Sequence, residues 1–252
     1  MTTGLVRLIL LEARRARLVW IILVGLAITF GLAQFVGQVA IVETREVQAA
    51  IMAAMLRLAG AFIVIMFVVT SMVREANDKV LELMLSLPYS RGRYYLGKFA
   101  GYGLVAILIG VIQSAPLWLM VPGRGLAIWT LSLGLELLVV ATFSLFCVLS
   151  LTQTVAAMAA SSGLYLLARS LGTLQVIADA AVSHEASPAD TVINLLVDAV
   201  ALLLPSLDQL TQTAWLTAPP DFGNVIRMPA QVLAYLAVFA MASLFDLYRK
   251  NG

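Results

Sequence analysis

Residues 69–101 read VTSMVREANDKVLELMLSLPYSRGRYYLGKFAG, and this stretch indicates how the chain is organised. It holds a charged island between two long apolar runs. Residues 74–87 contain strong helix formers and no glycine or proline, and Pro88 ends the predicted helix. Each flanking run reaches the ~20 residues that a helix needs to cross the hydrocarbon of a bilayer. The pattern therefore predicts two membrane spans joined by a charged, helical loop.

The composition supports a membrane protein throughout. Of 252 residues, 62% are hydrophobic and 12% are charged, and the mean hydropathy is +0.97. Soluble domains have about 45–50% apolar and about 25% charged residues. The apolar runs are continuous rather than alternating with a period of two, which favours helices over a barrel. We predict an all-α integral membrane protein.

The cysteine and histidine counts limit the chemistry. Cys147 is the one cysteine, so no internal disulfide can form, and His184 is the one histidine, so no multi-histidine metal centre is possible. No catalytic residue, metal site or cofactor is predicted in this chain, and nothing indicates a nucleic-acid partner. An intramembrane enzyme is disfavoured because no Ser/His pair or facing pair of aspartates is evident.

Six apolar runs are long enough to span a bilayer, and together they form one transmembrane domain, residues 1–252. The predicted spans are 18–42, 51–73, 94–121, 126–150, 154–178 and 226–247. The first run is too long for a cleaved signal peptide and is interpreted as a retained anchor. Residues 1–17 alternate leucine and arginine at helical spacing. They fit an interfacial helix on the headgroups or a simple positive flank of that anchor.

The basic residues predict the orientation. Six spans place both termini on one side, and most lysines and arginines fall on that side. They are Arg7, Arg14, Arg15, Arg17, Arg74, Lys79, Arg91, Arg93, Lys98, Arg249 and Lys250. The opposite side has Arg45, Arg57, Arg124 and Arg227. The asymmetry predicts cytoplasmic N- and C-termini.

Residues 190–215 are harder to interpret. The apolar run 192–204 contains Asn194 and Asp198 and ends at Pro205, and it is short for a full span. A seventh span would also move Arg249 and Lys250 to the outside. We therefore favour an external re-entrant or interfacial hairpin before the last span.

The charged island also resembles a known family. The residues that carry the resemblance are Glu75, Lys79, Glu82-Leu83, Leu85-Ser86-Leu87-Pro88, Ser90-Arg91 and Gly97-Lys98. They are similar to the first cytoplasmic loop of type-2 ABC exporter permeases, including permeases of nitrous-oxide reductase and copper-enzyme maturation systems. Leu204-Pro205-Ser206-Leu207-Asp208 with Trp215 is similar to the family's segment before the last span.

The resemblance implies how the chain would work. In that family the loop, here 74–93, carries a coupling helix that binds a separate ATPase subunit. The implied coupling residues are Glu75, Asp78, Lys79, Glu82, Leu85, Pro88 and Arg91. The implied partners are two cytoplasmic ABC ATPases, which would bind ATP and Mg²⁺, and a second permease, identical or related. The implied location is the bacterial cytoplasmic membrane, in contact with its lipid.

The same loop contains a false nucleotide motif. Residues 92–98, GRYYLGK, match the spacing of a phosphate-binding loop, but Phe99 replaces the Ser/Thr that would contact Mg²⁺. No βαβ context surrounds it. An ATPase would therefore have to be a separate chain.

Two charges lie deep in the predicted spans. Glu136 and Arg169 fall in spans that run in opposite directions, at similar depth. An unpaired charge there costs ~2.5–3.5 kcal/mol on insertion scales. We predict an ion pair that fixes helix packing or lines a polar transport path. Gly97 and Gly101 form a GxxxG step that permits close helix approach.

The alternative function is a protein without a motor. A secondary carrier or a membrane scaffold for assembling another complex would share this composition. Carriers usually show inverted repeats and broken helices with buried charges. No convincing repeat is visible, and the transported substrate is not indicated by any residue.

Overall fold

The structure is a computed structural model that describes residues 2–39, 44–78, 90–121, 123–151, 153–182, 205–216, 218 and 222–249. All regular structure in these ranges is helical, as predicted. The helices are α1 (Thr2–Arg15), α2 (Leu18–Val39), α3 (Thr44–Asn77), α4 (Arg91–Met120), α5 (Arg124–Leu151), α6 (Thr154–Val182), α7 (Leu207–Leu210) and α8 (Phe222–Arg249). A 3-10 turn at Thr213–Leu216 follows α7.

Five helices of the described chain are long and apolar enough to cross a membrane. These candidate spans are Leu18–Phe35, Arg45–Asn77, Arg91–Met120, Arg124–Leu151 and Arg227–Arg249. The predicted span 154–178 lies in α6, which is not among the five. The multi-span membrane protein is therefore confirmed, and the count of six spans stays a prediction.

Helix α5 is the centre of the bundle. It packs against α3, α4, α6 and α8. Residues 139–145 are all buried, and a run of seven residues points to every side of a helix. A helix that is apolar all round is best placed in the interior, where every face is covered. In contrast, α2 packs mainly on α3 and leaves large apolar side chains such as Trp20 exposed, as a lipid-facing helix would.

Helix α1 lies against the start of α4. Leu5 contacts Gly97, and Ile9 contacts Gly101, so the predicted close approach at the GxxxG step is made by α1. Because both pairs are four residues apart, one face of α1 matches one face of α4. Arg17 has a positive φ of 54° between α1 and α2.

The helix bounds differ from the predicted spans at several ends. Helix α3 begins at Thr44 rather than at 51 and continues to Asn77, so the first part of the charged island extends the membrane helix. Helix α8 begins at Phe222 rather than at 226. The cause is that a helix can extend beyond the hydrocarbon wherever the flanking residues are helix formers.

Candidate functional site

A polar cluster lies in the interior of the bundle. It is formed by Arg57 of α3, Glu136 of α5, and Tyr165 and Arg169 of α6. Three helices therefore meet at one group of ionisable side chains. Glu136 is fully buried and Arg57 is 8% exposed.

Glu136 is held by two neighbours. The hydroxyl of Tyr165 donates a hydrogen bond to Glu136 Oε1 at 3.2 Å. Arg169 Nη1 lies 3.9 Å from Glu136 Oε2. The structure thus places the two residues of the predicted intramembrane pair next to each other. Because a buried carboxylate is costly unless paired and hydrogen-bonded, these contacts offset part of the cost of burying Glu136.

The two arginines also hold a segment outside the long helices. Arg169 donates from Nη1 to the carbonyl of Leu207 and from Nη2 to that of Thr211, the latter at 2.7 Å. Arg57 Nη1 donates to the same Thr211 carbonyl at 2.8 Å. These carbonyls lie at the start and just after the end of α7. The arginines therefore provide donors for backbone groups that a helix of four residues cannot satisfy internally.

Electrostatic repulsion explains why the polar cluster contains a carboxylate beside its two arginines. Two guanidinium groups share one carbonyl oxygen, so they lie close enough to repel each other. One carboxylate between them reduces that repulsion in surroundings of low dielectric. The arrangement ties helices together and anchors a loop, and it presents no nucleophile with an adjacent base.

The anchored segment, residues 205–216, packs tightly on its neighbours. Leu207, Leu210, Trp215 and Leu216 are buried. A Cβ added at Gly125 would overlap the carbonyl oxygen of Trp215, and one added at Gly172 would overlap the carboxylate of Asp208. This segment is the second part of the predicted external hairpin 190–215, and residues 190–204 lie outside the described residues.

Sequence reasoning missed half of the cluster. The sequence places Arg57 near the external face, although the free-energy cost of an arginine within an apolar run is a usable signal for a buried partner. Tyr165 gave no signal, because a tyrosine in an apolar run is indistinguishable from packing bulk. The two carbonyl acceptors depend on tertiary structure and could not be predicted.

A second group of contacts lies where α3 ends and α4 begins, and we call it the loop base: Ser71, Glu75, Tyr94, Lys98 and Tyr102. Lys98 Nζ forms an ion pair with Glu75 Oε2, and both side chains are largely buried. The hydroxyl of Tyr94 donates to Glu75 Oε1 at 3.2 Å. The loop base fastens the two helices that flank residues 79–89.

Aromatic groups complete the loop base. Lys98 Nζ lies 5.8 Å from the ring centroid of Tyr94 and 5.7 Å from that of Tyr102, within the range of cation–π attraction. The hydroxyls of Ser71 and Tyr102 are 2.9 Å apart and hydrogen-bonded. The buried ammonium thus has a carboxylate and two aromatic faces, which compensates for its removal from water.

The structure places three of the predicted coupling residues. Glu75 faces inward to Lys98, and Asp78 is exposed just beyond the end of α3. Arg91 Nη1 donates to the carbonyls of Leu247 and Tyr248, each at 3.2 Å, and so connects α4 to α8. Lys79, Glu82, Leu85 and Pro88 lie outside the described residues.

The helical architecture and the match of the sequence to a known protein family together define the class of protein. Several apolar helices packed around α5, with ionic groups in the interior, describe a multi-pass membrane protein. The chain matches the family described as ABC-2 family transporter protein over residues 41–244, so it belongs to that family. It is a permease, the membrane component of an ABC transporter. No curated protein matches the chain.

Proposed function

We propose that this chain is the membrane subunit of an ABC exporter, driven by two ATPase subunits that are separate chains. The observation that carries the proposal is the family match over residues 41–244. The sequence supports it, because the one phosphate-loop-like stretch lacks the Mg²⁺-contacting hydroxyl at Phe99. Two permease subunits, identical or related, would enclose the path between them in the bacterial cytoplasmic membrane, with all termini cytoplasmic.

The loop base supports a route for mechanical coupling. An ATPase that binds the 79–89 loop would pull on the end of α3 and the start of α4. The ion pair between Glu75 and Lys98 is largely buried and therefore little weakened by solvent. The two helices would move as one unit, and the pull would reach the bundle instead of separating the helices. In this proposal Glu75 acts inside the permease, whereas Glu82 and Leu85 contact the ATPase.

The test is binding of the ATPase. The permease would be co-expressed with candidate ABC ATPase subunits from the same genome and purified through a tag on the permease. We expect Glu82→Arg or Leu85→Asp to abolish co-purification, because each introduces a charge that the binding cleft would have to bury unpaired. The matched control is Glu46→Arg, the same charge reversal at an exposed position at the other end of α3.

Three outcomes are informative. Loss of the ATPase with the loop variants and retention with Glu46→Arg supports the proposal. An intact complex with both loop variants contradicts the assigned docking helix. Transport in vesicles that continues without nucleotide contradicts the ABC mechanism and favours the carrier.

A further inference from the structure

A cavity lies beside the loop base, between α1, the C-terminal end of α3 and the N-terminal part of α4. Its volume is about 500 Å³, within the range of small-molecule sites. Its lining combines apolar side chains from α1 with charged side chains from α1, α3 and α4. Its lining residues Arg74 and Glu75 lie at the end of one candidate span, and Lys98 lies near the start of the next, which is the depth at which lipid headgroups lie.

Four of the six charged residues that line this cavity are close to a residue of opposite charge, and one basic and one acidic residue are not. Three basic and three acidic residues line it: Arg15, Arg74, Lys98, Glu12, Glu75 and Asp78. Lys98 is paired with Glu75, and Arg74 lies 4.0 Å from Glu12. Within the described part of the chain, Arg15 and Asp78 have no ion-pair partner. Both are exposed.

The apolar part of the lining continues outward. Leu8 and Leu11 of α1 border the cavity and are 59% and 42% exposed. An occupant with an ionic head and an apolar tail would thus find a charged wall and, next to it, an apolar wall. Phospholipids have such an ionic head and apolar tail, and they surround a membrane protein at high concentration.

We propose that this cavity binds a phospholipid whose headgroup carries both a phosphate and a primary ammonium, that is, a phosphoethanolamine headgroup. Arg15 binds the phosphate, because a guanidinium matches phosphate oxygens with several donors. Asp78 accepts hydrogen bonds from the ammonium. An acyl chain lies along Leu8 and Leu11.

The headgroup is selected by what Asp78 requires. A choline headgroup has a quaternary nitrogen without N–H, so it cannot donate to the carboxylate. A glycerol headgroup leaves a net negative charge beside Asp78, which is unfavourable. The ethanolamine headgroup alone among these three satisfies both residues. The proposal does not depend on the ATPase or on transport.

The experiment is native mass spectrometry of the purified full chain with added phospholipids. Phosphatidylethanolamine, phosphatidylcholine and phosphatidylglycerol with identical acyl chains would be titrated separately. We expect the ethanolamine lipid to bind roughly tenfold more tightly, the size expected for a charge-assisted hydrogen bond. Equal binding of all three, or a preference for phosphatidylglycerol, would overturn the proposal.

Three variants test whether Asp78 determines the preference for the ethanolamine headgroup and whether Arg15 binds the phosphate. Asp78→Asn should reduce the preference for ethanolamine over choline to about a third or less, because a neutral amide binds ammonium less strongly. Arg15→Gln should weaken binding of all three phospholipids. The control is Arg14→Gln, an exposed arginine on the same helix outside the cavity, which should bind as the native chain does. An unchanged preference in Asp78→Asn would refute the assignment.

Competition by a soluble headgroup distinguishes the contribution of the charged wall to binding from that of the apolar wall. Phosphoethanolamine without acyl chains should compete only at far higher concentration than the lipid, because it gains nothing from Leu8 and Leu11. Competition at the same concentration as the lipid would contradict the role of the apolar wall.

Discussion

At the scale of single residues, the carbonyl oxygen of Thr211 explains most of the polar cluster. It accepts from Arg57 and from Arg169, which belong to different helices. Either guanidinium alone could satisfy this carbonyl. The second adds a repulsion that Glu136 offsets, and the carboxylate therefore matters most when both arginines are present.

Glu136→Gln should destabilise the protein by about 3–5 kcal/mol, because it leaves the buried guanidinium of Arg57 and the partly buried one of Arg169 without a counter-charge. Adding Arg57→Gln should recover part of this loss, since Arg169 still donates to Thr211. The measurement is thermal unfolding of the detergent-purified protein. The control Glu46→Gln, at an exposed position on α3, should change stability by no more than about 0.5 kcal/mol. Strictly additive effects of the two cluster substitutions would refute the shared-acceptor explanation.

At the scale of elements, the segment 205–216 is fitted between long helices by glycine as well as by arginine. Gly125, in the first turn of α5, allows the backbone of Trp215 to approach more closely than any side chain would permit. Gln231 of α8 adds a side-chain hydrogen bond to Ser206 at 2.7 Å. The segment is therefore fastened to several helices at once.

Gly125→Ala should cost about 1–3 kcal/mol, because its Cβ meets backbone that cannot rotate away. The matched control is Gly163→Ala in α6, where an added Cβ meets nothing within 4 Å. That substitution should be neutral or stabilise by about 0.5–1 kcal/mol through helix propensity. Thermal unfolding of both variants measures the difference. Equal melting temperatures would show that the segment moves aside freely.

Elements and site were predictable from the sequence to different degrees. Apolar length predicted α2 and α4 within three residues at each end, because the bilayer fixes the length of a span, whereas α3 begins seven residues earlier than predicted. Glu136 and Arg169 were visible because isolated charges are costly in lipid. The carbonyls of Leu207 and Thr211 were not, since a backbone acceptor has no signature in the sequence. The inward direction of Glu75 was also hidden, because helical spacing alone does not show which face α4 covers.

At the scale of the whole molecule, the positions of the charges predict an orientation that labelling can test. The native chain has one cysteine, Cys147, which is buried, so it serves as the unlabelled control. Gly92→Cys and Gly223→Cys place a thiol where an added Cβ meets nothing within 4 Å. We expect an impermeant maleimide to label Cys at 223 in intact cells and Cys at 92 only after lysis. The reverse pattern would invert the topology and place the proposed coupling loop, residues 79–89, outside.

Helix α3 runs without interruption from Thr44 to Asn77 and carries Arg57 and Glu75. At 1.5 Å per residue these two side chains are separated along the axis by ~27 Å, nearly the thickness of the hydrocarbon layer. A rod of this length transmits an axial displacement almost undiminished. A displacement of α3 near Glu75 would therefore also displace Arg57 and strain its hydrogen bond to the carbonyl of Thr211. A movement that begins at one membrane surface would thus change contacts close to the other surface.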